Sequence, residues 1–228
     1  PLYYLDASDE SAFTYDATTK VISAIDTPGL AYNNVGGAWI AGGLNGKGVI
    51  DFADSPAIIR AAEQTQFNGG SWTISILLRA KGVDNGNGGG VSIPTSLVYT
   101  APRLDYFYNG QPYKWAFPMG LTGWEAAAET RTFTVGQWYL FTISRAAGSS
   151  DTRYYVDDVY VGTSGATYGD LIYFVLNSNS RNGAPNGNRT AYAEVRIYNE
   201  ALNAAAVATL YSTVKTKWGE LGPGSGTM

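Results

Sequence analysis

Apolar and polar residues alternate with a period of two in several short stretches, the pattern of a strand with one face turned to a core. In 72–79, Trp72, Ile74, Ile76 and Leu78 fall on one face, with Thr73, Ser75 and Arg79 opposite. In 138–145, Tyr139, Phe141 and Ile143 share a face. In 190–198, Ala191, Ala193, Val195 and Ile197 read as one face, and Tyr192, Glu194, Arg196 and Tyr198 as the other. Stretches 48–53, 153–162 and 171–176 are also strand-like. Gly, Asn, Asp or Ser bounds each of them, and this spacing predicts antiparallel strands in a two-sheet core.

The turns agree. Asn-Gly occurs at 45–46, 68–69, 85–86, 87–88, 109–110, 182–183 and 186–187, and this dipeptide supplies the positive φ angles of tight turns. Gly82–Gly90 and Asn177–Arg189 read as exposed loops, and Gly222–Met228 as a flexible tail. One period-3.6 stripe breaks the pattern: Val207, Leu210, Tyr211, Val214 and Trp218 predict a helix over 204–217. Asn203 is its expected N-cap, Leu202 and Val207 occupy the staple positions, and Gly219 suits the C′ position. A shorter helix is expected to begin at Ser55, with Pro56 at its first position. No repeat or internal linker divides the 228 residues, so residues 1–221 read as one domain and 222–228 as its tail.

Composition narrows the chemistry. The chain is 45% hydrophobic and 14% aromatic, with 17 Tyr and 28 Gly, which suits aromatic strands joined by glycine turns. The net charge is −4 and the 15 basic residues are scattered, so nucleic acid is not an expected partner. No apolar run approaches the length of a membrane span, and no membrane partner is expected. Pro1–Asp6 reads as strand from the first residues, without a charged n-region or apolar h-region, so no signal peptide is expected. The chain has no Cys and no His. This excludes disulfides, thiolate chemistry, a Ser-His-Asp triad and cysteine zinc sites, and it limits any metal to oxygen ligands.

Four segments resemble one family. Tyr4-Leu5-Asp6-Ala7-Ser8-Asp9 looks like the first strand of bacterial and phage laminin G-like (concanavalin A-like lectin-glucanase) domains. Leu44–Phe52 resembles that family's glycine turn leading into a core strand. Tyr155–Gly162 resembles its hairpin, with Asp157-Asp158 where the family usually has Asp-Gly or Asn-Gly. Residues 192–219 resemble the closing strand, helix and Lys-Trp-Gly. The resemblance implies an all-β fold: a jelly-roll sandwich of two antiparallel sheets with a C-terminal helix. It does not by itself imply one function.

Candidate sites follow. A glycanase needs two carboxylates flanking the sugar bond. Related glucanases place closely spaced acids on one strand, whereas strand 190–198 carries only Glu194, and Glu200 lies beyond it. Glu194 therefore reads as a structural carboxylate, at a position the resembled family often fills with Glu. No catalytic residue and no cofactor are expected. The resemblance also implies calcium at the sandwich rim. Asp84, Asp105, Asp151, Asp170 and Asn177 lie in or near expected loops without a recognisable ligand spacing, so its ligands stay unassigned. Asn188-Arg189-Thr190 matches a glycosylation sequon. Tyr99–Trp124 is rich in aromatics and lacks a clean strand period. Within it, Tyr106, Tyr108, Tyr113, Trp115 and Trp124 are the expected contacts for a protein partner or a glycan, set against the simpler role of core filling.

Two function classes remain, neither of them catalytic. The first is a structural or interaction protein, most concretely a bacteriophage virion accessory in the head or tail, bound to other proteins and able to form a homo-oligomer. The second is a carbohydrate-binding adhesin or lectin, secreted or on a cell surface.

Overall fold

The computed structural model describes residues 3–9, 11, 13–16, 21–24, 31–34, 38–51, 59–60, 70–82, 105–108, 111–118, 124–126, 134, 136–149, 151–164, 175–176 and 189–221. The first strands are β1 (Tyr3–Asp6), β2 (Phe13–Asp16), β3 (Val21–Ala24), β4 (Ala31–Asn34), β5 (Ala38–Leu44), β6 (Lys47–Asp51), β7 (Ile59–Arg60) and β8 (Trp72–Gly82). There follow β9 (Asp105–Tyr108), β10 (Gln111–Pro118), β11 (Trp124–Ala126), β12 (Trp138–Arg145), β13 (Thr152–Val156), β14 (Val159–Ser164), β15 (Val175–Leu176) and β16 (Arg189–Tyr198). One helix closes the chain, α1 (Ala204–Trp218). For β2–β4, β7, β9–β11 and β15 only the backbone is described.

The largest sheet has eight strands in the order β14-β13-β12-β8-β16-β6-β5, with β1 also on β16. Every pairing in it is antiparallel. The far edge of β16 is divided: Ala191 and Tyr192 pair with β6, while Glu194 to Ile197 pair with β1. A five-stranded sheet runs β15-β7-β4-β3-β2. Among the described residues, strands β9, β10 and β11 form a further, small sheet. The strands expected at 48–53 and 153–162 correspond to β6 and the β13–β14 hairpin, and of 171–176 only Val175–Leu176, β15, is described. The helix expected at Ser55 and the 222–228 tail lie outside the described residues. Of the loops expected at Gly82–Gly90 and Asn177–Arg189, only the ends Gly82 and Arg189 are described, and they belong to β8 and β16.

Both faces of the central strands are buried. On one face, Ile74, Ile76 and Leu78 of β8 stand opposite Ile143, Phe141 and Tyr139 of β12, and none is more than 5% exposed. The other face lies under α1. There Leu77, Trp138, Leu140, Ala191 and Ala193 pack with Val207's helix neighbours Leu210, Val214 and Trp218. Polar residues of this second face are not turned to solvent, as simple alternation implies. Ser75 and Thr142 bond each other at 3.0 Å. Thr73 donates to the Glu200 carbonyl at 2.7 Å, and Ser144 donates to that of Leu202 at 2.9 Å. These hydroxyls pin the link between β16 and α1 to the sheet.

The alternation expected along 190–198 does not hold through its length. Tyr192 lies opposite Leu78 and Glu194 opposite Leu77, so Ala193 is an extra residue. A bulge of this kind resets the phase of every later side chain. Ala191 and Ala193 therefore share the helix side with Glu194, whose carboxylate bonds the Trp218 ring N–H. Val195 and Ile197 do not continue their face.

The helix runs one residue beyond the expected end. Asn203 Oδ1 accepts the Ala206 N–H at 3.0 Å, the N-cap bond, and Gly219 ends the helix at φ 82°. The Asn45-Gly46 turn, with φ of 48° and 79°, matches a type I′ hairpin. Asn45 also reaches across to the end of α1 and donates to the carbonyls of Trp218 at 2.7 Å and Glu220 at 3.1 Å. In the β13–β14 turn only Asp157 has positive φ, 60°, the pattern of type II′. Its carboxylate accepts the Leu140 N–H at 3.0 Å and its own N–H donates to the Leu140 carbonyl at 2.6 Å, which extends the β12–β13 ladder by one rung.

Two stability tests follow from these caps and turns. Asn45→Ala removes both carbonyl bonds and a residue that tolerates positive φ, and should lower unfolding free energy by about 1–3 kcal/mol in urea titration. An unchanged midpoint would show that the turn does not hold the helix end. Asp157→Gly relieves about 1 kcal/mol of backbone strain but loses a buried charge-assisted bond of about 1.5–3 kcal/mol. Net destabilisation is expected, and a raised Tm would contradict it.

Candidate functional site

Two places carry chemistry. One is a buried charge cluster where β1, β16 and α1 meet. Strand pairing sets Asp6 opposite Glu194. Glu194 is 1% exposed. Its oxygens receive Arg196 Nε at 2.5 Å, the Trp218 ring N–H at 2.9 Å, Tyr4 OH at 3.0 Å and Lys217 Nζ at 3.1 Å. Lys217 also pairs with Asp6, and its Nζ lies 2.6 Å from Tyr4 OH. The Arg196 guanidinium sits 4.8 Å from the centre of the Tyr4 ring. Two carboxylates, two cations and a phenol thus close on one another.

Electrostatics decide what this cluster can do. Burial alone would raise the Glu194 pKa, but bonding and charge from Arg196, the Trp218 N–H and the Lys217 charge outweigh it and hold Glu194 below the usual carboxylate range. Asp6 is likewise lowered against the effect of burial, by Lys217 and Ser8. Tyr4 is raised, by burial first and then by the two carboxylates. A general acid needs the opposite shift, towards neutral pH. Asp6 and Glu194 are a carboxylate pair on adjacent strands that the sequence, read strand by strand, does not reveal, and their environment suits them to structure.

The second place is the aromatic segment. Strands β8 and β12 are direct neighbours in the large sheet, yet residues 83–137 separate them in the chain. Within that excursion the chain builds the three-stranded sheet β9-β10-β11. All five expected contact residues fall on it: Tyr106 and Tyr108 on β9, Tyr113 and Trp115 on β10, and Trp124 on β11. Trp124 pairs with Pro118, and Tyr108 with Gln111. The β9–β10 register shifts between Pro112 and Ala116. Neighbouring strands lie about 4.8 Å apart, so residues spread over 19 positions of sequence are gathered at oligosaccharide scale.

Of the calcium candidates, two fall among the described residues. Asp105 opens β9 and Asp151 precedes β13, while Asp84, Asp170 and Asn177 lie outside the described residues. Among the described residues no three acidic side chains are grouped to hold a metal ion. None of their helices is long and apolar enough to cross a membrane.

Comparison with known proteins bears on the fold. A sequence model of the laminin G type, described as the concanavalin A-like lectin/glucanases superfamily, matches residues 54–208, more than half of the chain. The chain belongs to this superfamily. The matched stretch includes β8 to β16 and leaves out β1, the Asn45 turn and the Lys217-Trp218-Gly219 end. No curated protein matches the chain in sequence.

Solved structures share the sandwich fold at low identity. Trypanosoma rangeli sialidase in complex with sialic acid superposes with a TM-score of 0.68 at 16% identity, over 93% of this chain and 35% of that one. This chain therefore spans about a third of the sialidase. Domain 4 of AbnA, a GH43 extracellular arabinanase from Geobacillus stearothermophilus in complex with arabinotriose, gives 0.56 at 14% identity, over 77% of this chain and 81% of the domain. The binding domain of Paraclostridial Mosquitocidal Protein 1 gives 0.63 at 12% identity, over 91% and 54%.

The charge cluster generates a pH prediction. Unfolded Glu and Asp titrate near 4.3 and 3.9. In the folded chain both Glu194 and Asp6 titrate lower, so their stabilising contribution is complete above those values and is lost as pH falls through the folded ones. Glu194→Gln leaves Arg196 and Lys217 short of a partner and should cost about 3 kcal/mol at pH 7. It should also flatten the loss of stability below about pH 4. Urea titrations from pH 3 to 7 measure both, and coincident curves for variant and parent would show that the cluster does not stabilise the fold.

Proposed function

We propose that this chain is a non-catalytic glycan-binding domain that holds a sugar on the β9-β10-β11 sheet and works outside the cell. The observation that carries the proposal is the gathering of Tyr106, Tyr108, Tyr113, Trp115 and Trp124 onto three adjacent strands of one small sheet. Flat aromatic rings pack against the apolar faces of sugars, and each ring brings large contact area with few rotatable bonds. That sheet is an excursion from a rigid ladder, and loops on rigid scaffolds are where recognition residues concentrate.

Superfamily membership supports the same reading. So do the sugar complexes of two structural neighbours, one with sialic acid and one with arabinotriose, though at these identities the likeness extends to fold alone. A non-catalytic role is favoured by the state of Glu194, the acid on the strand where related glucanases place theirs. It is buried, fully ligated and held ionised. A virion accessory role uses the same scaffold, but no observation favours it over a glycan.

A glycan array of the intact chain tests the proposal. Binding to at least one glycan class is expected, with a loss of tenfold or more for Trp115→Ala and for Trp124→Ala at unchanged Tm. An array without binding, or binding that both substitutions leave intact, would defeat it. Polysaccharide cleavage by the intact chain would overturn the non-catalytic part.

A further inference from the structure

We infer that the groove between α1 and the β13–β14 turn is a second saccharide subsite, one that takes a single neutral sugar ring. It rests on the proposal that the domain binds glycans. The groove has a volume of about 470 Å³, within the range of small-ligand sites. Three elements build it: Asp158 from the turn, Ala208, Tyr211, Ser212 and Lys215 from α1, and Glu220 from the segment after the helix.

The division of labour in the turn is the first clue. Asp157 supplies both the positive φ and the bond to Leu140. Asp158 is exposed, has no hydrogen-bond or ion-pair partner among the described residues, and borders the groove. The floor is the second clue. Tyr211 is half-buried against the core beneath α1 and, with Ala208, gives an apolar surface. The rim then offers hydrogen-bonding groups of both kinds. The carboxylates of Asp158 and Glu220 accept, while the Lys215 ammonium and the Ser212 hydroxyl donate.

Charge selects the ligand class. Two carboxylates against one ammonium leave the rim net negative, which disfavours an acidic sugar. The place for a cation is already filled, because Lys215 Nζ lies 5.8 Å from the centre of the Tyr211 ring and 3.2 Å from Glu220. A neutral polyol satisfies both demands: its hydroxyls donate to the carboxylates and accept from the ammonium, and its C–H face meets Tyr211 and Ala208. A ligand this small in an open groove should bind with Kd on the order of millimolar.

Titration of the ¹⁵N-labelled full chain with arabinose, glucose and galactose tests this, with glucuronate as the charged control. Saturable amide shifts at Asp158, Tyr211 and Lys215 are expected for at least one neutral sugar, and none for glucuronate. Asp158→Ala, an exposed change that spares the fold, should weaken binding at least fivefold, and Tyr211→Ala at least as much. Trp115→Ala and Trp124→Ala should leave these shifts in place, which separates this subsite from the aromatic sheet. Absence of saturable shifts with all three sugars overturns the inference, as do shifts that survive Asp158→Ala. An array result that fails on Trp115 and Trp124 bears on the other site alone.

Discussion

A carboxylate that is 1% exposed and ionised is tolerable only if it is fully ligated, because a buried charge without partners costs several kcal/mol. Glu194 meets that condition by drawing ligands from three parts of the chain: Tyr4 on β1, Arg196 on its own strand, and Lys217 and Trp218 at the end of α1. No subset of these closes the cluster. The first strand, the last strand and the helix are therefore assembled together, over sequence separations of up to 213 residues. The bulge at Ala193 is part of the same constraint: if Ala193 took a register position of its own, strict alternation would turn Glu194 away from α1.

Other contacts converge on the same region. The Asn45 side chain caps the carbonyls that follow Trp218. Trp39 donates its ring N–H to the Ala7 carbonyl at 2.9 Å. It does so across Gly48, where a Cβ would come within 2.4 Å of that ring nitrogen. Three of the four segments that resemble the superfamily, Tyr4–Asp9, Leu44–Phe52 and 192–219, are thus pieces of one lock rather than independent signatures.

Local signals were legible in the sequence where local physics dictates the outcome. The Asn203 cap, the stripe of Val207, Leu210, Val214 and Trp218, and the Asn45-Gly46 turn depend on neighbours within a few residues, and each is found as expected. The phase of β16 was not legible, because both of its faces are buried and apolar residues stand on either side of the bulge, so the shift left the apparent alternation intact. The burial of Thr73 and Ser144 was hidden for a similar reason: their partners are backbone carbonyls at Glu200 and Leu202, which any sequence supplies. The aromatic stretch showed no single strand period because its described residues fall on three short strands with a register shift between Pro112 and Ala116. Its residues could be listed, but their gathering onto one sheet could not be read from spacing.

The arrangement separates what stabilises the domain from the aromatic sheet proposed to bind a glycan. The ladder of β8 on β12 runs without a register shift over eight residue pairs, from Trp72–Arg145 to Arg79–Trp138. That continuity lets β9, β10 and β11 be inserted in sequence between β8 and β12 at little cost, since lengthening a closed loop adds only about 0.6 kcal/mol per doubling. Aromatics on such an excursion can change without disturbing the Glu194 lock, which shares no residue with it. The groove beside α1 has a different standing. Tyr211 and Lys215 belong to the helix that the lock holds in place, so the position of that groove depends on Glu194. Loss of the lock would displace the groove's helical wall while leaving the β8–β12 frame of the aromatic sheet paired.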